Sequence, residues 1–145
     1  MSIVDTFRAL DAEICGGDLE RAAAYLADDF MFVGATPQPL DKQAAIGLWR
    51  TMRQAFPDFN HNTTDVVARN GKLYAAVAVS GTHRGELRVP GLPPIPASGK
   101  PVQLPREPIQ LSYRGNQFTE WVVEQVPDGG LRGVLNQIGA SVPAL

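Results

Sequence analysis

The 145-residue sequence predicts an α+β fold, with helices gathered on one face of a curved antiparallel sheet. Three observations lead there. Patterned segments follow the order α-α-β-α-β-β-β-β-α, with no internal repeat. Asn70-Gly71 joins two β-rich runs, and a type I′ turn needs positive φ at both central residues, which these two residue types tolerate. The run Leu73–Thr82 is almost uncharged, with Ala, Val, Ser and Thr on both faces. Such a strand is covered on both sides or lines a cavity where small side chains leave room. The hairpin is therefore expected at the centre of the sheet, with a pocket against one face.

In chain order, Ser2 is placed to cap a helix from Ile3 to about Cys15, with Ile3, Phe7, Leu10 and Ile14 on one stripe. Gly16-Gly17 ends it, and Asp18 opens a second helix with Leu19, Ala22, Ala23 and Leu26 inward. Past Asp28-Asp29, the apolar run Phe30–Val33 reads as an edge strand, and Pro37 and Pro39 keep the next segment irregular. Asp41 caps a third helix to about Ala55, with Ala44, Leu48, Met52 and Ala55 or Phe56 inward and Pro57 just beyond its end. After the hairpin, five prolines between Pro90 and Pro101 make a stiff loop or flap. Val102–Tyr113 and Gln117–Val126 read as strands joined at Arg114-Gly115-Asn116, with Pro105 and Pro108 marking an edge or a bulge in the first. Asp128 is placed to cap a C-terminal helix carrying Leu131, Val134, Leu135 and Ile138 on one side.

Bulk composition narrows the function classes. The length suits a single domain over residues 1–145. Thirteen basic residues against 15 acidic ones, with no Lys or Arg run, point away from nucleic acid and membrane surfaces. The lone Cys15 rules out an internal disulfide and a cysteine-based metal cluster. No apolar run approaches the roughly 20 residues of a spanning helix. Asp5 and Arg8 in the opening turns do not fit a signal peptide, so a cytoplasmic location is expected. Two histidines with no neighbouring His/Cys/Asp cluster in the sequence argue against a metal site. Dinucleotide, P-loop, zinc-protease and nucleophile-elbow motifs are absent.

Four stretches carry a family likeness: Ala55-Phe56-Pro57-Asp58, Asp65-Val66-Val67, Gly81-Thr82-His83-Arg84-Gly85-Glu86 and Pro96-Ala97-Ser98-Gly99-Lys100. In order and spacing, over roughly Ile3–Glu124, the chain resembles the SnoaL-like polyketide cyclases of the nuclear transport factor 2-like superfamily. The resemblance implies a cone-shaped α+β barrel in which three helices from the N-terminal half pack on a strongly bent sheet over a deep apolar pocket. It also implies a homodimer packed through the sheets, and ring closure by an aldol-type step without a cofactor. In the family's enzymes an acidic residue on the last strand serves as acid or base, within a His-Trp-Asp triplet. Here that stretch is Glu120-Trp121-Val122, so the carboxylate position holds Val122, or Val123 in the neighbouring register. The family's early-strand polar position falls at Gly34 or a neighbour.

Candidate site residues follow from strand alternation. His61, amid polar Asn60, Asn62 and Thr63, is either a pocket acid/base group or a half-exposed strand residue. His83 is either a ligand contact or a structural histidine at a strand end, with Gly81 and Gly85 marking a bulge or close approach. Glu107 shares a face with Ile109, Leu111 and Tyr113, where burial would raise its pKa and suit it as a base. A register flip at the prolines would turn Arg106 inward instead, against a ligand carbonyl or anion. On the last strand either Glu120 and Glu124 face the pocket or Trp121 and Val123 do. Trp49, Tyr25, Met52 and Phe56 read as core or pocket wall. The expected function is binding of a small apolar carbonyl compound with proton transfer in the style of a cyclase or isomerase. Its base would be His61, Glu107 or Glu120, and Arg106 or His83 would polarise the carbonyl. The alternative is a non-catalytic module binding a small ligand or a partner through the same pocket or sheet.

Overall fold

A computed structural model describes residues 2–140. Helix α1 (Ile3–Cys15) is capped by Ser2, whose hydroxyl accepts from the Asp5 N–H at 3.1 Å while the Asp5 carboxylate accepts from the Ser2 N–H at 3.3 Å. This reciprocal pairing satisfies two otherwise orphaned donors. Asp18 caps the short α2 (Leu19–Ala24), and Asp41 caps α3 (Lys42–Ala55) through the Ala44 N–H at 2.9 Å. Strand β1 (Leu26–Val33) precedes the two-residue β2 (Leu40–Asp41). Then come β3 (Thr64–Arg69), β4 (Lys72–Val77), β5 (Ser80–Thr82), β6 (Pro101–Gln103), β7 (Glu107–Arg114), β8 (Gln117–Val123) and α4 (Gly130–Gln137).

Six strands form one sheet in the order β2-β1-β8-β7-β4-β3, and β5 pairs with β6 in a separate ribbon. All pairings are antiparallel except β1 with β8. The sheet is open rather than closed into a barrel. The three helices of the N-terminal half cover one face, and α4 closes the end beside β6.

The hairpin turn forms as expected, with Asn70 at φ 54° and Gly71 at φ 75°. Its place in the sheet differs: β3 is an edge strand, because β7 and β8 occupy the middle. The run to Thr82 is also broken after Val77. There the chain leaves β7 and joins the β5–β6 ribbon, which bends the surface around the space below it. Strand β1 is longer than expected and interior, flanked by β2 and β8. A register irregularity between Leu26 and Met31 lets consecutive Asp28 and Asp29 both face water, where they pair with Lys42 and Arg114 at 3.8 and 3.1 Å. Leu26 accordingly lies in this strand, not in the second helix.

The prolines do not mark an edge either. Pro105 sits in the break between β6 and β7, and Pro108 is the second residue of β7, opposite Ala76, so together they end one strand and begin another. Helix α3 is rotated relative to the expected face: Ala45, Ile46, Trp49, Met52 and Ala55 are buried, Leu48 is half-buried and Ala44 is exposed. Trp49 explains the rotation, because its large ring packs against Phe32 and Trp121 at centroid distances of 5.4 and 5.9 Å. Helix α4 has Gly129, not Asp128, at its N-cap and no side-chain capping bond.

Gly47 lies inside α3 with nothing within 4 Å of where a Cβ would stand. Glycine in a helix interior is less stable than alanine by about 0.5–1 kcal/mol. Gly47→Ala should therefore raise the urea midpoint by a corresponding amount at unchanged m, and a loss of stability would contradict the open environment of this position.

Candidate functional site

Beneath α3 lies a cavity of about 70 Å³ with an almost wholly apolar wall, to which Phe32, Trp49, Met52, Phe59, Trp121 and Val134 contribute. Two ionisable side chains, His61 and Glu107, also line it. They arrive from opposite directions in the chain: His61 from the extended segment ahead of β3, and Glu107 as the first residue of β7. Both are nearly inaccessible, with 5% and 3% of their surface exposed.

His61 is fixed by α1. Its Nδ1 meets Asp11 Oδ1 at 2.7 Å, and its backbone N–H donates to Cys15 Sγ at 3.3 Å. Asp11 is itself saturated: Thr63 Oγ1 donates to Oδ2 at 2.7 Å and the Cys15 thiol lies 3.7 Å from Oδ1. Burial on its own would drive the imidazole toward neutrality. The Asp11 carboxylate and the Cys15 sulfur outweigh that and hold the His61 pKa up at about 10. Burial likewise pushes Asp11 upward, but its bonds to His61, Thr63 and Cys15 leave it below the ordinary 3.8. At neutral pH the pair is an imidazolium against a carboxylate. With Nδ1 engaged, no hydrogen-bond partner for Nε2 occurs among the described residues.

Glu107 is likewise shifted upward. Burial raises its pKa above the ordinary 4.5, and the Gly130 N–H and the positive His61 pull it only part of the way back. The Gly130 N–H donates to Oε2 at 3.1 Å, from a residue at φ +67° that favours glycine. A Cβ on neighbouring Gly129 would stand 2.9 Å from the same oxygen, so this diglycine turn is what lets α4 approach the carboxylate. On its far side Glu107 borders a second cleft of about 270 Å³, lined with Gln125 and Arg132.

The fold thus gathers His61, Glu107, Trp49 and Trp121 around one cavity and disperses the other candidates. Glu120 pairs laterally with Ser112 and Met31 on the sheet's opposite face, because Trp121 takes the inward position. Glu124 is exposed. Arg106 lies at the surface in an ion pair with Asp65 at 2.9 Å, since β7 keeps the register that turns Glu107 inward. His83 is fully buried outside the cavity wall, stacked on Phe56 at 5.4 Å with Nδ1 held by Ser98 at 2.9 Å. Burial lowers its pKa, which suits a neutral structural ring. The Trp121 Nε1 is buried without a hydrogen-bond partner among the described residues.

Asp11 and the Gly129-Gly130 turn were not legible from sequence; Asp11 borders the stripe of Phe7, Leu10 and Ile14 but looks like any polar helix residue. The fold also creates a cluster that the linear sequence does not contain: ligand atoms of Asp11, Cys15 and His61 lie within 4.8 Å of one another. Two ligands on one tetrahedral zinc stand about 3.3 Å apart. The 2.7 Å Nδ1–Oδ1 separation is instead that of a shared proton, so this group reads as a hydrogen-bonded acid/base set.

The family model of the SnoaL-like polyketide cyclases matches residues 4–106, which include Asp11 and His61 and stop just before Glu107. Among solved structures, a provisionally assigned SnoaL-like polyketide cyclase from Jannaschia sp. CCS1 superposes with a TM-score of 0.74 at 18% identity, covering 97% of this chain and 93% of that one. IdmH from Streptomyces antibioticus, provisionally assigned as a polyketide cyclase, gives 0.70 at 21% identity over 92% and 99%. A protein of ketosteroid isomerase-like fold from Catenulispora acidiphila, solved with trimethylamine, gives 0.66 at 16% identity over 96% and 98%. At these identities the likeness is one of fold. No curated protein matches the sequence.

The Asp11–His61 pair makes stability depend on pH with a definite sign. Its contribution from His61 is complete below the ordinary 6.5 and is lost as pH rises through about 10, while that from lowered Asp11 is lost in acid. Asp11→Asn should bring the His61 NMR titration down toward the ordinary range. It should also flatten the part of the alkaline loss of unfolding free energy that this pair causes. An unchanged His61 titration would refute the coupling.

Proposed function

The chain belongs to the SnoaL-like polyketide cyclase family, and on that footing we propose that it binds a small apolar carbonyl compound in the cavity beneath α3. There it transfers a proton next to the carbonyl, as a cofactor-free cyclase or isomerase. One observation carries this reading: two buried groups whose pKa values are both raised line the same cavity, an imidazole held positive and a carboxylate pushed toward protonation.

The chemistry follows from those states. His61, backed by Asp11, presents Nε2–H to the substrate oxygen. Glu107, a stronger base than a surface carboxylate, removes a proton from the adjacent carbon. The released electron pair moves onto the oxygen, and the imidazolium stabilises the enolate. Attack of that enolate on a second carbonyl closes a ring, whereas return of the proton to a different carbon isomerises the substrate. Glu107 replaces the family's last-strand carboxylate from the adjoining strand β7. The rings of Trp49 and Trp121 hold apolar carbon.

Deuterium uptake from D₂O at the α-carbons of 2-butanone, followed by NMR, tests the mechanism. The wild type should accelerate exchange. Glu107→Gln should lower the rate by about 10²–10⁴-fold with a smaller effect on probe affinity, and His61→Gln should also slow it. The rate should rise with pH as Glu107 deprotonates above the usual carboxylate range and fall as His61 loses its proton near 10. A wild type that binds the ketone without accelerating exchange replaces this reading with the non-catalytic one, and variants that exchange as fast as an accelerating wild type remove His61 and Glu107 from the mechanism.

We also propose that two copies associate through the sheet face away from the cavity. Val33, Val122, Gln110, Tyr74 and Val67 are successive lateral neighbours there, and Val67 is 45% exposed. Sedimentation should give a dimer that Val122→Glu dissociates; a monomeric wild type would refute the assignment.

A further inference from the structure

We infer that the ligand has two parts, a compact carbonyl head in the inner cavity and an extended apolar body in the surface groove running over α3. This rests on the carbonyl reading above and adds the class of molecule. The inner cavity of about 70 Å³ admits a carbonyl and its immediate carbons, but not a ring system. The groove beside it measures about 740 Å³ and shares two wall residues with it, Leu48 and Leu131. These two side chains, from α3 and α4, stand where the spaces meet, so they are the specificity-determining pair. A molecule too large for the cavity reaches the His61–Glu107 end by passing between them.

The groove floor is one face of α3, on which Ala44, Gly47, Leu48 and Thr51 recur at i, i+3, i+4 and i+7. Gly47 has no packing reason to lack a side chain, since nothing stands within 4 Å of its absent Cβ. Any larger residue there would project into the groove. The remaining wall is apolar or uncharged, with Leu40, Val89 and Pro90 prominent. The single charged lining residue, Arg88, has a side chain 74% exposed and already tied to Glu86 at 2.7 Å. A wall of this kind takes uncharged hydrocarbon or aromatic bulk and offers no seat for a phosphate or nucleotide.

Two homologous probe series test the inference, 2-alkanones from butanone upward and 1-alkanols of the same lengths, with affinities measured by calorimetry. Each added methylene should tighten binding of the ketones by about two- to fourfold until the groove is spanned. Gly47→Trp should leave butanone affinity unchanged and flatten the length dependence. Ala44→Trp, exposed on the same helix face, should do likewise and guards against misfolding of the first variant. Butanone binding with no length dependence in the wild type overturns the groove assignment and leaves the carbonyl reading intact, as does a slope that neither tryptophan changes. A length dependence equal in alkanols and ketones keeps the groove and removes the carbonyl reading. Failure of every member of both series to bind overturns both.

Discussion

The Asp11 carboxylate is the point at which α1 is fastened to the segment entering the sheet. One side chain receives the His61 ring N–H, the Thr63 hydroxyl and the Cys15 thiol, so three donors from two separate parts of the chain converge on it. Because the pair is largely withdrawn from water, neither partner can be removed without leaving a charge uncompensated. The geometry also settles which imidazole nitrogen is occupied and which is left for the cavity. The position of α1, the orientation of His61 and the sign of the charge in an otherwise apolar space all follow from that one contact.

The sheet supplies the opposing half of the site. With β7 and β8 at its centre, their inward residues make a continuous apolar surface of Ile109, Leu111, Phe118, Trp121 and Val123. Glu107 is the one acid in this inward series, at the end where β7 begins and where the α4 turn supplies a backbone donor. A buried carboxylate is tolerable there because one oxygen is satisfied and because it can take up a proton. The β4–β5 break and the separate β5–β6 ribbon keep this end of the interior from packing solid.

Much of this was legible in sequence where the cause is local. Caps at Ser2, Asp18 and Asp41, the Asn70-Gly71 turn and the alternation that turns Glu107 inward with Ile109 and Leu111 all depend on residues a few positions apart. What depends on distant partners was not. The hairpin announced itself, but its place at an edge is fixed by which strands β7 and β8 choose. Asp11 acquires meaning only when His61, far along the chain, comes to rest beside it. The alternation of Glu120 and Trp121 left two registers open, and the greater apolar area of the indole decides between them. Arg106 and His83 looked plausible by residue type, yet a surface aspartate and a buried Phe56–Ser98 nest engage them elsewhere. The resemblance conveyed the architecture, while the departure at Val122 and Val123 kept it from conveying the chemistry.

The single parallel ladder has a consequence for how the molecule comes into being. Strand β1 finds only a two-residue partner in β2, and its other neighbour, β8, is made 92 residues later, with Leu26 opposite Phe118. During synthesis Trp49 of α3 can cover Phe30 and Phe32 early, but the Trp121 side of that packing waits until nearly the last segment emerges. Closing so long a loop is entropically demanding, so assembly of this protein is governed by its slowest and most distant pairing rather than by its early helices.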